Sequence, residues 1–252
     1  MQKLNKLTLI AGLLAGLFAA QQAVAAIALD RTRVIFPGGE KSLSLTIHNE
    51  NTQLPFLAQS WLEDSSGHKI TQPLVVVPPL QRVEPGSSSQ LSIKALPQAA
   101  SLPQDRETLY YFNLREIPPR SKEPNTLQLA LQTRVKFFYR PKAIQQTRAQ
   151  MANPFQEQLT LTRQGDSYRV NNPTPYYITL VSAGSGARSA QNGGFKPVMV
   201  APKGQASLGV SAAQLGASPA VVYINDYGGS MVLTFSCSGG QCKVVKDERV
   251  KG

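Results

Sequence analysis

Short segments in which apolar and polar residues alternate recur along this chain, and they constrain its fold more than any other feature. Clear examples lie at residues 42–47, 90–93 and 158–162, while residues 176–181 and 231–235 are rich in β-branched and aromatic residues. A period of two indicates β-strands, because successive side chains of a strand point to opposite faces. Turns containing Gly or Pro separate the segments, and there is no convincing long amphipathic helix. This pattern predicts an all-β protein built of sandwiches or barrels.

A change of pattern near the middle of the chain predicts two domains. The strand-like segment 127–139 ends at Arg140-Pro141, a polar stretch follows, and the next alternating strand begins near Gln158. Pro141 has no N–H to donate to a sheet ladder, so we expect the chain to turn there. We therefore predict domains over residues 26–143 and 144–252, each of a size that suits an immunoglobulin-like β-sandwich.

The N-terminus has the layout of a secretory signal peptide. Lys3 and Lys6 precede an apolar run of about 14 residues, and small residues follow at Ala23 and Ala25. The run is too short to span a bilayer comfortably. We predict a signal peptide over residues 1–25, with cleavage after Ala25. Cleavage after Ala26 fits nearly as well, and an N-terminal membrane anchor is the alternative.

Charge and cysteine content bear on two questions, whether the protein binds nucleic acid and whether it contains a disulfide. The formal net charge of +11 becomes +9 without Lys3 and Lys6, but the basic residues are scattered and not interleaved with aromatic residues. Together with export, this argues against a nucleic-acid partner. Cys237 and Cys242 both remain after cleavage and enter an oxidising space, which predicts a disulfide. The loop between them is short, so we expect the bond to contribute only about 2 kcal/mol.

The sequence contains no recognisable catalytic motif. Gly-x-Ser-x-Gly, His-Glu-x-x-His and a phosphate-binding glycine loop are all missing. His48 and His68 lie far from the two cysteines and have no obvious partners in the sequence. We expect a protein that is not an enzyme and that uses no cofactor and no metal.

The segment from Leu127 to Tyr139 is the most informative of the predicted strands. Leu127, Leu129 and Leu131 alternate with polar residues and continue the apolar face of Val135 and Phe137. At about 3.3 Å per residue the segment would span roughly 40 Å, more than a typical strand. The simpler interpretation is one core strand. Alternatively, the leucine end extends past the core and offers itself to a partner, since an exposed apolar edge is a liability unless it pairs.

Several longer motifs stand in order along the chain. They are Leu29–Arg33, Asn113–Arg120, Ala130–Pro141, Val170–Tyr177 and Tyr223–Gly229, followed by the cysteine pair. In type and order they resemble the PapD-like periplasmic chaperones of the chaperone–usher pathway, and Asn113–Pro119 is the most specific of them. The resemblance implies two immunoglobulin-like domains in an L or boomerang arrangement, with a subunit-binding cleft between them. It also implies a periplasmic location, pilus subunits as cargo and an outer-membrane usher as partner.

The resemblance assigns roles to individual residues. Such chaperones lend a strand to a pilus subunit that lacks its own last strand, a process called donor-strand complementation. By position, the donated side chains would be Leu127, Leu129 and Leu131. Arg33 and Lys136 would anchor the C-terminal carboxylate of the subunit, and this anchor would set the register of the added strand.

The resemblance also implies an interdomain charge network of Glu107, Arg140 and Asp226, although a surface network of small energetic weight is the alternative. Leu131 and Lys136 fall on opposite parities of an ideal strand. Either a bulge or strong twist lies between them, or they act on different sides.

Two other functions are weighed against the chaperone. A structural pilus subunit or adhesin should have an alternating N-terminal extension and lack a final strand, whereas an extracellular hydrolase requires a catalytic constellation. For a free chaperone we expect some protection of the exposed edge, for example a self-capping homodimer formed through the same strand.

Overall fold

A computed structural model describes residues 25–188, 190 and 195–250. Apart from Ala25, the predicted signal peptide lies outside these residues. The described chain forms two β-sheet domains joined by short helical turns, so the prediction of a two-domain all-β protein is confirmed.

The first domain is a sandwich of two sheets. Its strands are β1 (Ile27–Leu29), β2 (Arg33–Pro37), β3 (Ser42–Asn49), β4 (Phe56–Glu63), β5 (Lys69–Ile70), β6 (Leu74–Val77), β7 (Leu80–Val83), β8 (Ser88–Ala95), β9 (Thr108–Ile117) and β10 (Gln132–Arg140). One sheet has the order β1-β3-β8-β6; the other has the order β2-β10-β9-β4-β5, with β7 paired to β4. The inward-facing residues of both sheets form one hydrophobic core, as period-two alternation requires.

The second domain is a single sheet path that folds around its own core. Its strands are β11 (Thr160–Gln164), β12 (Ser167–Asn172), β13 (Ile178–Ser185), β14 (Val198–Val200), β15 (Gly204–Ser211), β16 (Pro219–Ile224), β17 (Ser230–Ser238) and β18 (Gln241–Arg249). Their order is β14-β13-β16-β17-β18-β11-β12-β15, and the two end strands, β14 and β15, contact each other.

Helical structure is limited to short pieces. Among the described residues the α-helices are two single turns, α1 (Arg148–Met151) and α2 (Ala212–Leu215), and each begins with a capping box at Thr147 or Ser211. In the part of the chain that the structure describes, no helix has the length and apolarity needed to cross a membrane.

The first part of the described chain crosses from one sheet to the other. The strand β1 pairs with β3 in the four-stranded sheet, whereas β2 runs parallel to β10 in the six-stranded sheet. The chain changes sheets at Asp30–Thr32, where Arg31 pairs with the neighbouring Asp30 at 2.7 Å. This crossing places Arg33 opposite Lys136 of β10.

A buried asparagine ends one strand in each domain. Asn49 closes β3 and donates its side-chain amide to the carbonyls of Leu54, Val83 and Glu84. Asn172 closes β12 and donates to the carbonyls of Tyr176, Val200 and Ala201. Both side chains are fully buried, and these bonds satisfy loop carbonyls that the sheets leave unpaired.

Candidate functional site

The predicted long strand is shorter than the alternation indicates. β10 begins at Gln132, so residues 127–131 are not part of a strand, and the prediction of one strand from Leu127 to Tyr139 is wrong at its N-terminal end. The last ladder contact before β10 is the Glu116 N–H, which donates to the Leu131 carbonyl at 3.0 Å. On the N-terminal side of Leu131 the register leaves only Ile117 of β9, opposite Ala130, so residues 127–129 lie past the end of this neighbouring strand.

Three leucines of this segment face solvent. The exposed fractions are 82% for Leu127, 66% for Leu129 and 39% for Leu131. The preceding loop turns back on itself, because the Ser121 and Thr126 hydroxyls form hydrogen bonds with each other and with the backbone of Glu123. We call residues 127–131 the leucine segment. It presents apolar surface that the described chain does not cover.

Lys136 and Leu131, the residue just before β10, have opposite parities along the chain. β10 pairs with β9 from Gln132 to Tyr139 without a register shift, so no bulge interrupts the alternation there. Val135 and Phe137 point into the core, and Leu131 continues their parity. Lys136 points to the other face. Of the two explanations that the sequence left open, the structure supports action on different sides.

Arg33 and Lys136 lie side by side on β2 and β10, as the parallel register requires. Arg33 donates from Nη1 to the Ile224 carbonyl of the second domain at 2.9 Å, while its buried Nε has no hydrogen-bond partner. Burial lowers the pKa of Arg33, although Asp226 and Glu107 oppose this effect. Burial also lowers the pKa of Lys136, and the positive charge of Arg33 adds to that lowering. The pair is thus a partly desolvated concentration of positive charge.

A cavity of about 520 Å³ opens beside Arg33 between the two domains. Its walls include Ile35 and Pro37 of β2, Met151 of α1 and Tyr227 of the loop after β16. Lys136 lies on the next strand, outside these walls. The cavity has an apolar wall and a charged wall, in which Asp30 and Asp226 lie beside Arg31, Arg33 and Arg140.

Arg140 joins the two domains through a buried charge network. Its Nε donates to Glu107 at 2.8 Å and its Nη1 donates to Asp226 at 2.7 Å. Glu107 also accepts the Tyr177 N–H at 2.7 Å, and its own N–H donates to the Pro175 carbonyl at 2.9 Å. The three residues that the family resemblance grouped are therefore in contact through Arg140 in the structure.

The electrostatics of this network follow from its burial. Burial raises the pKa of Glu107 to about 7, while Arg140 and the Tyr177 N–H act in the opposite direction. Two carboxyl groups raise the pKa of Arg140, against the effect of its own burial. Arg140 therefore stays charged, and the network holds a cation between two acidic groups at the junction of the domains.

Two further contacts at this junction carried no sequence signal. Phe138 stacks on Tyr177 with ring centroids 5.6 Å apart. Gly228, with φ of +83°, lies so close to Thr32 that a Cβ at this position would clash with the Thr32 hydroxyl. These two contacts depend on which surfaces meet, and local pattern does not reveal that.

The predicted disulfide is confirmed. Cys237 and Cys242 face each other at the end of the β17–β18 hairpin and are bonded. The bond therefore closes one hairpin of the second domain.

Histidines and acidic residues do not form a metal cluster in the described parts of the chain. His48 contacts Ser88 at 3.0 Å on the outer face of the four-stranded sheet, and His68 lies beside Asp64 in an exposed turn. Both histidines are distant in the fold from the interdomain cavity, whose walls include neither of them.

Comparison with known proteins gives matches over nearly the whole described chain. Residues 26–145 match the family model of the pili and flagellar-assembly chaperone, PapD N-terminal domain, and residues 154–235 match that of the pili assembly chaperone PapD, C-terminal domain. The chaperone protein PapD of Escherichia coli is 47% identical over 233 residues, which cover 92% of this chain and 95% of PapD. The probable fimbrial chaperone YfcS of Escherichia coli K12 is 45% identical over 230 residues, with 91% and 90% covered.

A solved structure of similar fold contains a bound partner. It is the Salmonella enterica SafA pilin in complex with the SafB chaperone, with a TM-score of 0.69 and 27% identity. The match covers 86% of this chain and 99% of the solved one.

Proposed function

This chain belongs to the PapD-like family of pilus-assembly chaperones, and we propose that it captures incomplete pilus subunits in the periplasm by donor-strand complementation. It binds one subunit at a time, covers its exposed core and delivers it to an outer-membrane usher. The role is a binding role without catalysis, and it needs no cofactor.

The exposed leucine segment is the observation that carries this proposal. Leu127, Leu129 and Leu131 are exposed and share the sequence parity of the core-facing residues of β10. An incomplete subunit has a groove where its last strand is missing, and three alternating leucines match such a groove. Their full burial contributes roughly 5–9 kcal/mol before the cost of ordering the segment.

Arg33 and Lys136 complete the site as an anchor for the C-terminal carboxylate of the subunit. A carboxylate that enters the cleft loses water, and two cations replace that hydration by charge-assisted hydrogen bonds. Each such bond contributes on the order of 1.5–3 kcal/mol. Because the anchored chain end fixes the strand register, the leucines meet the groove on the correct face.

The network of Glu107, Arg140 and Asp226 holds the domains, 26–143 and 144–252, at the angle that forms the cleft. Removing one member would leave a buried charge without its partner, which is costly. This cost makes the network suited to fixing a hinge in an L-shaped molecule.

A structural pilus subunit fits the fold less well. In the first domain β10 lies between β2 and β9, so this sheet already contains its final strand. The chain therefore supplies a strand and does not need to receive one.

The proposal is tested by co-expression of the chain with candidate pilus subunits in the periplasm, followed by affinity purification. We expect a subunit to co-purify with the unchanged chain and to be lost with Arg33→Ala or Lys136→Ala. The matched control is Lys94→Ala, which removes an exposed lysine from β8 of the same domain. Folded Arg33→Ala and Lys136→Ala variants that retain the subunit at the control level would show that the anchor is wrong.

A further inference from the structure

The buried carboxylate of Glu116 has no role in the site described above. Glu116 lies on the core-facing side of β9 and is only 5% exposed. One of its side-chain oxygens accepts the Ile27 N–H at 2.8 Å, so the side chain reaches from the six-stranded sheet to β1 of the opposite sheet. Within the described residues, no Lys, Arg or His forms an ion pair with it.

A buried carboxylate without a cation is unfavourable. Moving an ionised group out of water costs several kcal/mol unless a counter-charge and hydrogen bonds replace its hydration. A single backbone N–H supplies only part of this compensation. The environment of Glu116 therefore lacks one positive charge.

Removal of the predicted signal peptide creates a positive charge at this place. In the full-length chain Ala26 follows Ala25, so its nitrogen is a neutral amide. Cleavage after Ala25 turns that nitrogen into an α-ammonium group, and consecutive backbone nitrogens are at most about 3.7 Å apart. The new charge therefore lies one residue from the nitrogen that already contacts Glu116. Cleavage after Ala26 would place it on the Ile27 nitrogen itself.

The surroundings fix the first residue in position. The Ala26 carbonyl accepts the Glu50 N–H at 2.7 Å, and Ala26 packs against the hydrophobic core. Of the two acidic side chains near Ala26, Glu50 is exposed and Glu116 is buried.

We propose that the α-ammonium group released by signal-peptide removal pairs with Glu116 and completes the first domain. The pair fixes β1 to β9. It also supports the start of β10, because the backbone of the same Glu116 holds the Leu131 carbonyl. In the unprocessed chain the carboxylate lacks this partner, so the first domain is less stable before export is complete. The inference rests on the predicted signal peptide and does not depend on which partner the leucine segment binds.

The test compares two exported chains that differ only at the mature N-terminus. One carries the natural junction, and the other carries Gly-Ser inserted between Ala25 and Ala26, which moves the ammonium group two residues away. Mass spectrometry of the purified proteins establishes both N-termini. Glu116→Gln is introduced into each chain because it keeps the shape and removes the charge. Glu50→Gln, which neutralises the exposed neighbouring acid, is the control.

The first measurement is the rate at which an acylating reagent modifies the α-amino group near pH 8. A neighbouring carboxylate raises the pKa of an α-amino group above its usual value of about 7.7–8.0, which slows acylation. With the natural junction we expect acylation near pH 8 to be about fivefold faster in Glu116→Gln, which corresponds to a pKa lower by about one unit. With the inserted dipeptide we expect less than about a twofold difference.

The second measurement is the unfolding equilibrium in urea. By linkage, a pKa shift of one unit corresponds to about a tenfold change in the folding constant. Glu116→Gln should therefore lower the folding constant about tenfold more with the natural junction than with the inserted dipeptide. If Glu116→Gln has equal effects in both chains, or leaves the reactivity of the α-amino group unchanged, Glu116 holds only the Ile27 amide and the proposal is wrong.

Discussion

Arg33 and Lys136 occupy paired positions on two parallel strands, yet neither has a carboxylate within 4.0 Å among the described residues. Arg140, at the end of the same strand as Lys136, is instead held by two carboxylates. At the domain junction Arg140 is thus neutralised by its acidic partners, whereas Arg33 and Lys136 are not, and we propose that these two cations receive an incoming anion.

The anchor should recognise a free carboxylate and not merely a chain end. We predict that a peptide matching the last strand of a captured subunit binds roughly 10–100-fold more weakly when its C-terminus is an amide, because charge-assisted bonds are lost. Calorimetric titration measures this ratio. Lys136→Met should reduce the discrimination between acid and amide, whereas Lys94→Met should preserve it. Equal affinities of acid and amide for the unchanged protein would contradict the assignment.

The leucine segment should affect capture without affecting the free chain. Leu129→Asn should lower affinity for a subunit by at least about tenfold, because a burial contribution of roughly 1.5–3 kcal/mol is lost. Since Leu129 is exposed in the free chain, its unfolding free energy should change by less than about 0.5 kcal/mol.

The matched control for Leu129→Asn is Leu54→Asn, which changes another exposed leucine of the first domain. Co-purification and urea unfolding measure the two effects separately. A large loss of stability in Leu129→Asn would indicate that the segment belongs to the domain's own core.

The close approach of Gly228 to Thr32 should make the domain junction sensitive to one methyl group. Gly228→Ala places a side chain on a residue with positive φ and creates a clash with Thr32. We therefore expect the free energy of unfolding to fall by roughly 1–3 kcal/mol and subunit capture to weaken. Gly239→Ala is the control, since Gly239 has a similar positive φ and open space around it. Adding Thr32→Ala to Gly228→Ala should remove the clash but not the strain of the positive φ. Equal stability of the Gly228→Ala and Gly239→Ala variants, measured by thermal unfolding, would refute the contact.

Glu107 should make the stability of the chain depend on pH. Its pKa is raised from 4.5 to about 7 by burial, so the folded chain holds this proton more tightly than the unfolded chain does. The stabilisation from proton binding is therefore full below about pH 4.5 and is lost as pH rises through about 7. We expect the unchanged chain to lose stability over this range relative to Glu107→Gln.

Urea unfolding at several pH values measures the dependence on Glu107. The control is Glu40→Gln, which removes an exposed carboxylate of the first domain. Parallel pH profiles for the unchanged chain and Glu107→Gln would contradict the raised pKa.

Content of β-branched and aromatic residues identified β17, whereas alternation identified β3 and β8, whose buried and exposed faces follow period two. It failed at Leu127–Leu131 for an instructive reason. A segment whose alternating side chains enter the core of another protein has the same sequence pattern as a segment that packs into the core of its own domain. Only the length of the neighbouring strand β9 shows where the chain's own sheet ends.

The contacts that join the domains were only partly accessible from sequence. Arg140, Glu107 and Asp226 carry charge and could be grouped by resemblance. The Ile224 carbonyl that holds Arg33 is a backbone group, which every residue type presents alike. Its importance depends on the position that tertiary structure gives it.

Asn49 and Asn172 each fix the loops of their own domain with carbonyls from that domain alone. Neither asparagine requires the other half of the chain. Each domain therefore carries within its own residues the bonds that fix its loops. The cleft, by contrast, is built from both domains and requires each of them to be in place.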